Sequence, residues 1–178
     1  MARLNVKGHE FNEFLVRDSY DRRAILFKNN IIEILKKMGV PEDDVDVPIQ
    51  KIARLSGDAS ASWYFDGHYM YFSYKLSNKF VENLYVVSKV IELEIKSLLK
   101  EEITMEEFIK HFSEDSDIEK KRKQARELLG VDEDCLDLEL INKNYKELAK
   151  KHHPDMGGDM EHFKKINNAH KMLHRELN

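Results

Sequence analysis

The chain of 178 residues can hold one ordinary domain, or a domain of about 115 residues followed by a small module. Its hydrophobic content of 42% is enough for a buried core, and 35% charged residues argue for a soluble surface. The net charge of −4 gives no general reason to expect nucleic acid or an anionic membrane as a partner, and the single cysteine, Cys135, excludes an internal disulfide and fits a reducing compartment.

Leu4 and Val6 alternate with polar residues, and Lys7-Gly8 offers a turn into a second short strand expected from Phe11 to Val16. From Ser19 to Met38 the period changes. Ala24, Phe27, Ile31, Ile34, Leu35 and Met38 form a helical stripe that Gly39 and Pro41 end. Val45, Val47 and Ile49 alternate in a short strand, and Pro48 suits it to a sheet edge. Asp43-Asp44 and Asp46 read as a turn.

Residues 59–74 give the clearest element of the front half. Asp66-Gly67 is a two-residue turn of the type that favours tight hairpins. It sets Phe65 opposite His68, Trp63 opposite Met70 and Ala61 opposite Phe72, all on one face that reads as core. The other face carries Tyr64, Tyr69 and Tyr71 among serines. A long helix is expected from Asn78 to Lys100, with Phe80, Leu84, Val87, Ile91, Ile95 and Leu98 on one stripe. Thr104 and Glu107 then spell a capping box that opens a short helix to Phe112.

Ser113 to Asp117 is short, polar and acidic, and the domain boundary is placed there. Charge divides unevenly about this region: 12 basic and 11 acidic residues from Lys121 onward, against 17 and 22 before it. Lys120 to Lys123 begins the next helix, which runs into Ala125, Leu128 and Leu129. That basic run lacks interleaved aromatics and follows acidic residues, so it reads as an exposed helix start and nucleic acid is not an expected partner.

The stretch from Lys143 to Gly158 organises the rest. Ile141, Tyr145, Leu148 and His152 share one face of a helix, and Lys143, Lys146 and Lys150 share the opposite one. Pro154 has no amide hydrogen and pushes His153 out of the helical region, so the helix must stop there. Gly157 and Gly158 let the chain turn into a second amphipathic helix.

These residues resemble a J domain, the signature module of DnaJ-type co-chaperones. The resemblance is carried by Leu128-Leu129-Gly130-Val131, by Ile141 through His153-Pro154-Asp155, and by Phe163 through Leu173, together residues 122–177 or so. It implies that His153, Pro154 and Asp155, with Lys143, Lys146, Lys150 and Tyr145, bind a DnaK-type chaperone ATPase. It further implies that the loop favours the partner state that hydrolyses ATP, so that no residue here performs catalysis. Asn142 and Glu147 stand where many family members carry Arg or Lys, His170 where an aromatic is more usual, and the Met156–Asp159 loop is short.

The expected fold is therefore α+β. Residues 1–115 form a small antiparallel sheet on two long helices, and residues 116–178 form an all-α J domain lacking a fourth helix. No cofactor is expected. His162, His170 and His174 suggest no metal, because zinc sites usually want three or four ligands with Cys, Asp or Glu in reach. The front domain supplies a client or a location, with Tyr64, Tyr69 and Tyr71 as its candidate ligand surface. An alternative is an RNA- or ribosome-associated binding protein whose J domain is vestigial or a scaffold. No apolar run approaches the ~18 residues that cross a bilayer, and residues 1–6 lack the apolar core of a signal peptide; the expected location is the cytoplasm, with no membrane partner.

Overall fold

Lys7 and Gly8 both take positive φ, 52° and 82°, the conformation of a type I′ turn whose twist matches that of the strands it joins. They connect β1 (Arg3–Val6) to β2 (His9–Asn12), with Val6 opposite His9 and Leu4 opposite Phe11. The computed structural model describes residues 2–113 and 115–178, and the chain divides between residues 114 and 115 into two units. The second strand begins earlier than expected and ends at Asn12 instead of Val16. Beyond it, side chains take over from the sheet ladder. The Phe14 ring packs 6.2 Å from Phe27 and 5.2 Å from Tyr85, and the Val16 amide donates to Glu82 Oε1 at 3.1 Å.

Helix α1 (Tyr20–Lys37) buries Ala24, Phe27, Ile31 and Leu35, as its stripe requires. It stops because Gly39 adopts φ 84°, which lets the amides of Gly39 and Val40 reach back to the carbonyls of Lys36 and Leu35 at 2.9 and 3.1 Å. A single 3-10 turn, Glu42–Asp44, leads into β3, which is only Val45–Asp46. The strand expected through Ile49 is cut short before Pro48, which has no amide to offer a ladder.

β3, β4 (Ala59–Phe65) and β5 (His68–Tyr74) form an antiparallel sheet in that order, separate from the first hairpin, so there are two small sheets rather than one. Asp66 and Gly67 have φ 47° and 75°, again type I′, and the register is the expected one: Phe65 with His68, Trp63 with Met70, Ala61 with Phe72. Ala61, Trp63, Met70 and Phe72 are buried. His68 shares their face but sits beside the turn and is exposed, its ring Nδ1 2.8 Å from the Asp66 carbonyl.

Helix α2 (Phe80–Leu99) packs on α1 and on the core face of β4 and β5. Helix α3 (Met105–Phe112) closes the sheet with rings: Phe112 lies 5.1 Å from Trp63 and 6.0 Å from Phe72, and Phe108 lies 5.9 Å from Phe65. Its capping box forms in both directions, Glu107 N–H to Thr104 Oγ1 at 3.2 Å and Thr104 N–H to Glu107 Oε2 at 2.8 Å. The Thr104 amide is the main reason the Glu107 carboxyl is held below the usual range. Deep on α2, the side chain of Glu94 is 2% exposed. One of its oxygens lies 3.0 Å from His9 Nε2 and the other 3.0 Å from His111 Nδ1, which ties β2 and α3 to the same carboxylate.

The second unit consists of α4 (Asp115–Leu128), α5 (Leu138–Lys151) and α6 (Met160–Leu177). Helix α4 starts five residues before Lys120. Ala125, Leu129, Ile141, Ile166, Ala169 and Leu173 form the core. Arg126, 4% exposed, crosses it: Nε donates to the Cys135 carbonyl and Nη2 to Glu176 Oε2, both at 2.9 Å. Asp137 caps α5 by accepting the amides of Glu139 and Leu140 at 3.0 and 3.1 Å. Among the described residues, no helix is long and apolar enough to cross a membrane.

Candidate functional site

The site is built where α5 stops. The last helical bond runs from the His152 amide to the Leu148 carbonyl at 2.9 Å. His153 then turns to φ −63°, ψ 136°, the extended conformation a residue before proline prefers. Pro154–Met156 make one 3-10 turn, and the His153 carbonyl accepts the amides of Met156 and Gly158 at 2.9 and 3.1 Å. Two neighbours hold the His153 ring. Its Nδ1 accepts the Asp155 amide at 3.2 Å, and Phe163 on α6 meets it edge-on at 5.2 Å. Nδ1 thereby serves as an acceptor within the turn, with Asp155 Oδ2 3.5 Å away. The Asp155 side chain is 88% exposed and that of His153 44%. A charged carboxylate and an imidazole are thus displayed on a turn with little freedom left to lose on binding.

Both glycines of the loop are required, for different reasons. Gly157 has φ 79°, the left-handed region where a side chain is strained. At Gly158 the obstacle is contact: a Cβ there would lie 2.1 Å from the backbone oxygen of His152. This close approach folds the loop back onto the end of α5, and the spacing of residues gave no sign of it.

Lys143, Lys146 and Lys150 are exposed on α5, while Ile141 is buried and Leu148 half-buried. Lys151, also exposed, adds a charge in the last turn next to the loop. Asn142 and Glu147, the two departures from a more basic face, line one shallow depression with Lys143 and Lys146.

Tyr145 plays a different part from the lysines. Its hydroxyl donates to Asn167 Oδ1 at 2.9 Å, and its ring stacks on His170 with centroids 3.9 Å apart and planes 10° from parallel. His170 Nε2 in turn lies 2.6 Å from Asn142 Oδ1. The histidine fills an aromatic's place and also fixes Asn142, a pairing across 28 residues that no local pattern foretold. Burial first, and the neighbouring His174 second, push the His170 pKa below its ordinary value. The stability this neutral ring contributes is therefore present above the ordinary imidazole pKa and is lost as the pH falls through the depressed value.

Tyr64, Tyr69 and Tyr71 lie in the first unit, half-buried on the sheet face opposite the core, with Tyr64 and Tyr69 paired across strands at 5.3 Å. The second unit therefore gathers His153, Pro154, Asp155, Lys143, Lys146, Lys150 and Tyr145, and the tyrosine trio belongs to the other unit.

Residues 126–178 match the DnaJ domain family. The same part of the chain is similar to the chaperone protein DnaJ of Lactobacillus acidophilus, 48% identical over 50 residues, which is 26% of this chain and 13% of that protein. The chaperone protein DnaJ of Lactobacillus delbrueckii subsp. bulgaricus is 45% identical and that of Lactobacillus gasseri 43% identical, each over 51 residues, covering 27% of this chain and 13% of the relative. The chain thus spans about an eighth of the length of the curated relatives it matches, and the match leaves residues before 126 outside it. No solved structure matches the chain.

Proposed function

We propose that this chain is a co-chaperone: its second unit recruits a DnaK-type chaperone ATPase of the 70-kDa heat-shock class and stimulates that partner's ATP hydrolysis. The observation that carries this reading is the pinned His153 and exposed Asp155 set directly after an exposed lysine face on α5. Hydrolysis takes place in the partner. The loop contributes by binding one partner state more tightly than the other, since equal affinity for both would shift nothing. Lys143, Lys146 and Lys150 supply long-range attraction to an acidic surface, and the first unit supplies the client or the location. The reading places the protein in the cytoplasm, where Cys135 stays reduced.

Single-turnover ATP hydrolysis by a DnaK-type partner tests the proposal. Wild-type protein accelerates it, and both His153→Gln and Asp155→Asn abolish the acceleration while the helical circular dichroism is unchanged, because neither side chain is part of the core. A well-folded wild-type protein that leaves a responsive partner unaffected overturns the reading. Lys146→Glu weakens partner binding several-fold at low ionic strength, and the difference from wild type shrinks as salt is added. An equal defect at all salt concentrations would show that Lys146 acts by contact and not by charge steering.

A further inference from the structure

Four segments of the first unit meet at the N-terminal end of α2. The amides of Phe80 and Val81 donate to the carbonyls of Leu55 and Ala53 at 2.8 and 3.1 Å, which seats the 52–57 turn there. The Ala53 amide donates to Asp21 of α1 at 2.9 Å, Asn83 binds the backbone of Ser77 and Gly57, and Lys79 Nζ donates to the Val16 carbonyl at 3.0 Å. Three of these segments then present aliphatic side chains outward: Leu15 is 58% exposed, Ile52 and Leu55 of the same turn 48% and 49%, and Leu76 80%.

A cation flanks every one of them. Arg17 follows Leu15 by two residues, Lys51 precedes Ile52, Arg54 precedes Leu55 and Lys75 precedes Leu76, and all four are exposed. None of the four makes an ion pair among the described residues, whereas Asp18 is engaged by Arg23 at 3.1 Å and Asp21 by the Ala53 amide. Asp58, also exposed, directly follows the 52–57 turn. These four cations gather in a unit whose residues 1–114 carry more acidic than basic side chains overall.

We propose that this end of the first unit is a peripheral binding surface for an anionic lipid bilayer. Cations among protruding aliphatics suit a layer of negative headgroups over an apolar interior: the charges draw the protein in, and the leucines enter the acyl boundary. The backbone favours lipid over a peptide. The Val16, Ala53, Leu55 and Ser77 polar groups named above are already bonded inside the unit, so they neither offer an edge for strand addition nor carry a desolvation cost near the bilayer. Nucleic acid is a poorer fit, since aliphatic tips give bases nothing to stack on. This surface belongs to the first unit and does not depend on the co-chaperone reading.

Co-sedimentation of the full chain with vesicles of phosphatidylcholine, with and without phosphatidylglycerol, tests the proposal. Wild-type protein binds the anionic vesicles at low salt, leaves the neutral ones, and is released as salt rises. Arg54→Gln with Lys75→Gln lowers the partition on the order of thirtyfold, from roughly fivefold per lost surface cation. Leu55→Ser with Leu76→Ser lowers it about tenfold or more, and neither pair changes the circular dichroism, because all four side chains are exposed. Absence of binding to anionic vesicles overturns the proposal, as does binding that both double variants retain. Variant-sensitive binding to an acidic amphipathic peptide or to single-stranded RNA, with none to vesicles, overturns it in favour of a macromolecular partner.

Discussion

Gly158→Ala removes ATPase stimulation even though it alters neither His153 nor Asp155. A Cβ at this position meets the His152 backbone oxygen at 2.1 Å and its carbonyl carbon at 2.3 Å, and backbone cannot yield as a flexible side chain can. Relief requires Gly158 to move away, which breaks its amide bond to the His153 carbonyl and loosens the turn that displays Asp155. The cost is about 3 kcal/mol, at the upper end for an overpacked site. For a helical unit of this size that corresponds to roughly 15 °C in melting temperature. Gly157→Ala is the milder control. Nothing crowds a Cβ there, and the left-handed φ alone costs about 1 kcal/mol. Thermal melts of the full chain alongside single-turnover hydrolysis would separate the two. A Gly158→Ala protein with wild-type melting and full stimulation would show that the close approach is dispensable, and with it the account of how the loop is held.

Glu94→Ala lowers the stability of the first unit by about 1–3 kcal/mol, the range for depriving hydrogen-bonding groups of a buried partner. The carboxylate is the common acceptor for His9 and His111, and the alanine deprives both imidazoles of it, that of His9 20% exposed and that of His111 41% exposed. The damage spreads to the first hairpin as a whole. Lys7, in its turn, also donates to the His111 carbonyl and lies over the rings of Phe72 and Phe112 at 5.3 and 5.5 Å. Glu94→Gln keeps an acceptor for one histidine but turns an amide donor toward the other, so it loses less. Urea denaturation of the three proteins measures the order. Equal midpoints for wild type and Glu94→Ala would mean that α2 holds the hairpin and α3 by apolar packing alone.

Much of the architecture was legible before any coordinates because the signals were local. Asp66-Gly67 sets the strand pairing on its own, since two adjacent residues at positive φ admit one hairpin geometry and therefore one register. Thr104 and Glu107 satisfy each other's backbone within a single turn, and Pro154 ends α5 by lacking one hydrogen. The lysine face and the His153-Pro154-Asp155 loop belong to the same class, because helical period and proline geometry need no distant partner.

Other features had no such signature. Strand β2 ends at Asn12 because Phe14 finds Phe27 and Tyr85, and β3 is two residues long despite the alternation of Val45, Val47 and Ile49. Glu94 reads as one more polar residue on a helix until His9, 85 positions away, and His111 converge on it. His170 reads as a misfit in an aromatic position until it is seen stacked on Tyr145 and bound to Asn142. The net charge of −4 likewise hides the cationic end of the first unit, since composition sums over charges that the fold separates in space. By itself the sequence determined what one turn of chain can determine: helices, hairpin turns, caps and the displayed loop. Only the tertiary structure decided which distant side chains complete one another, because a contact's energy depends on where the fold places its two halves and on how completely it excludes water from them.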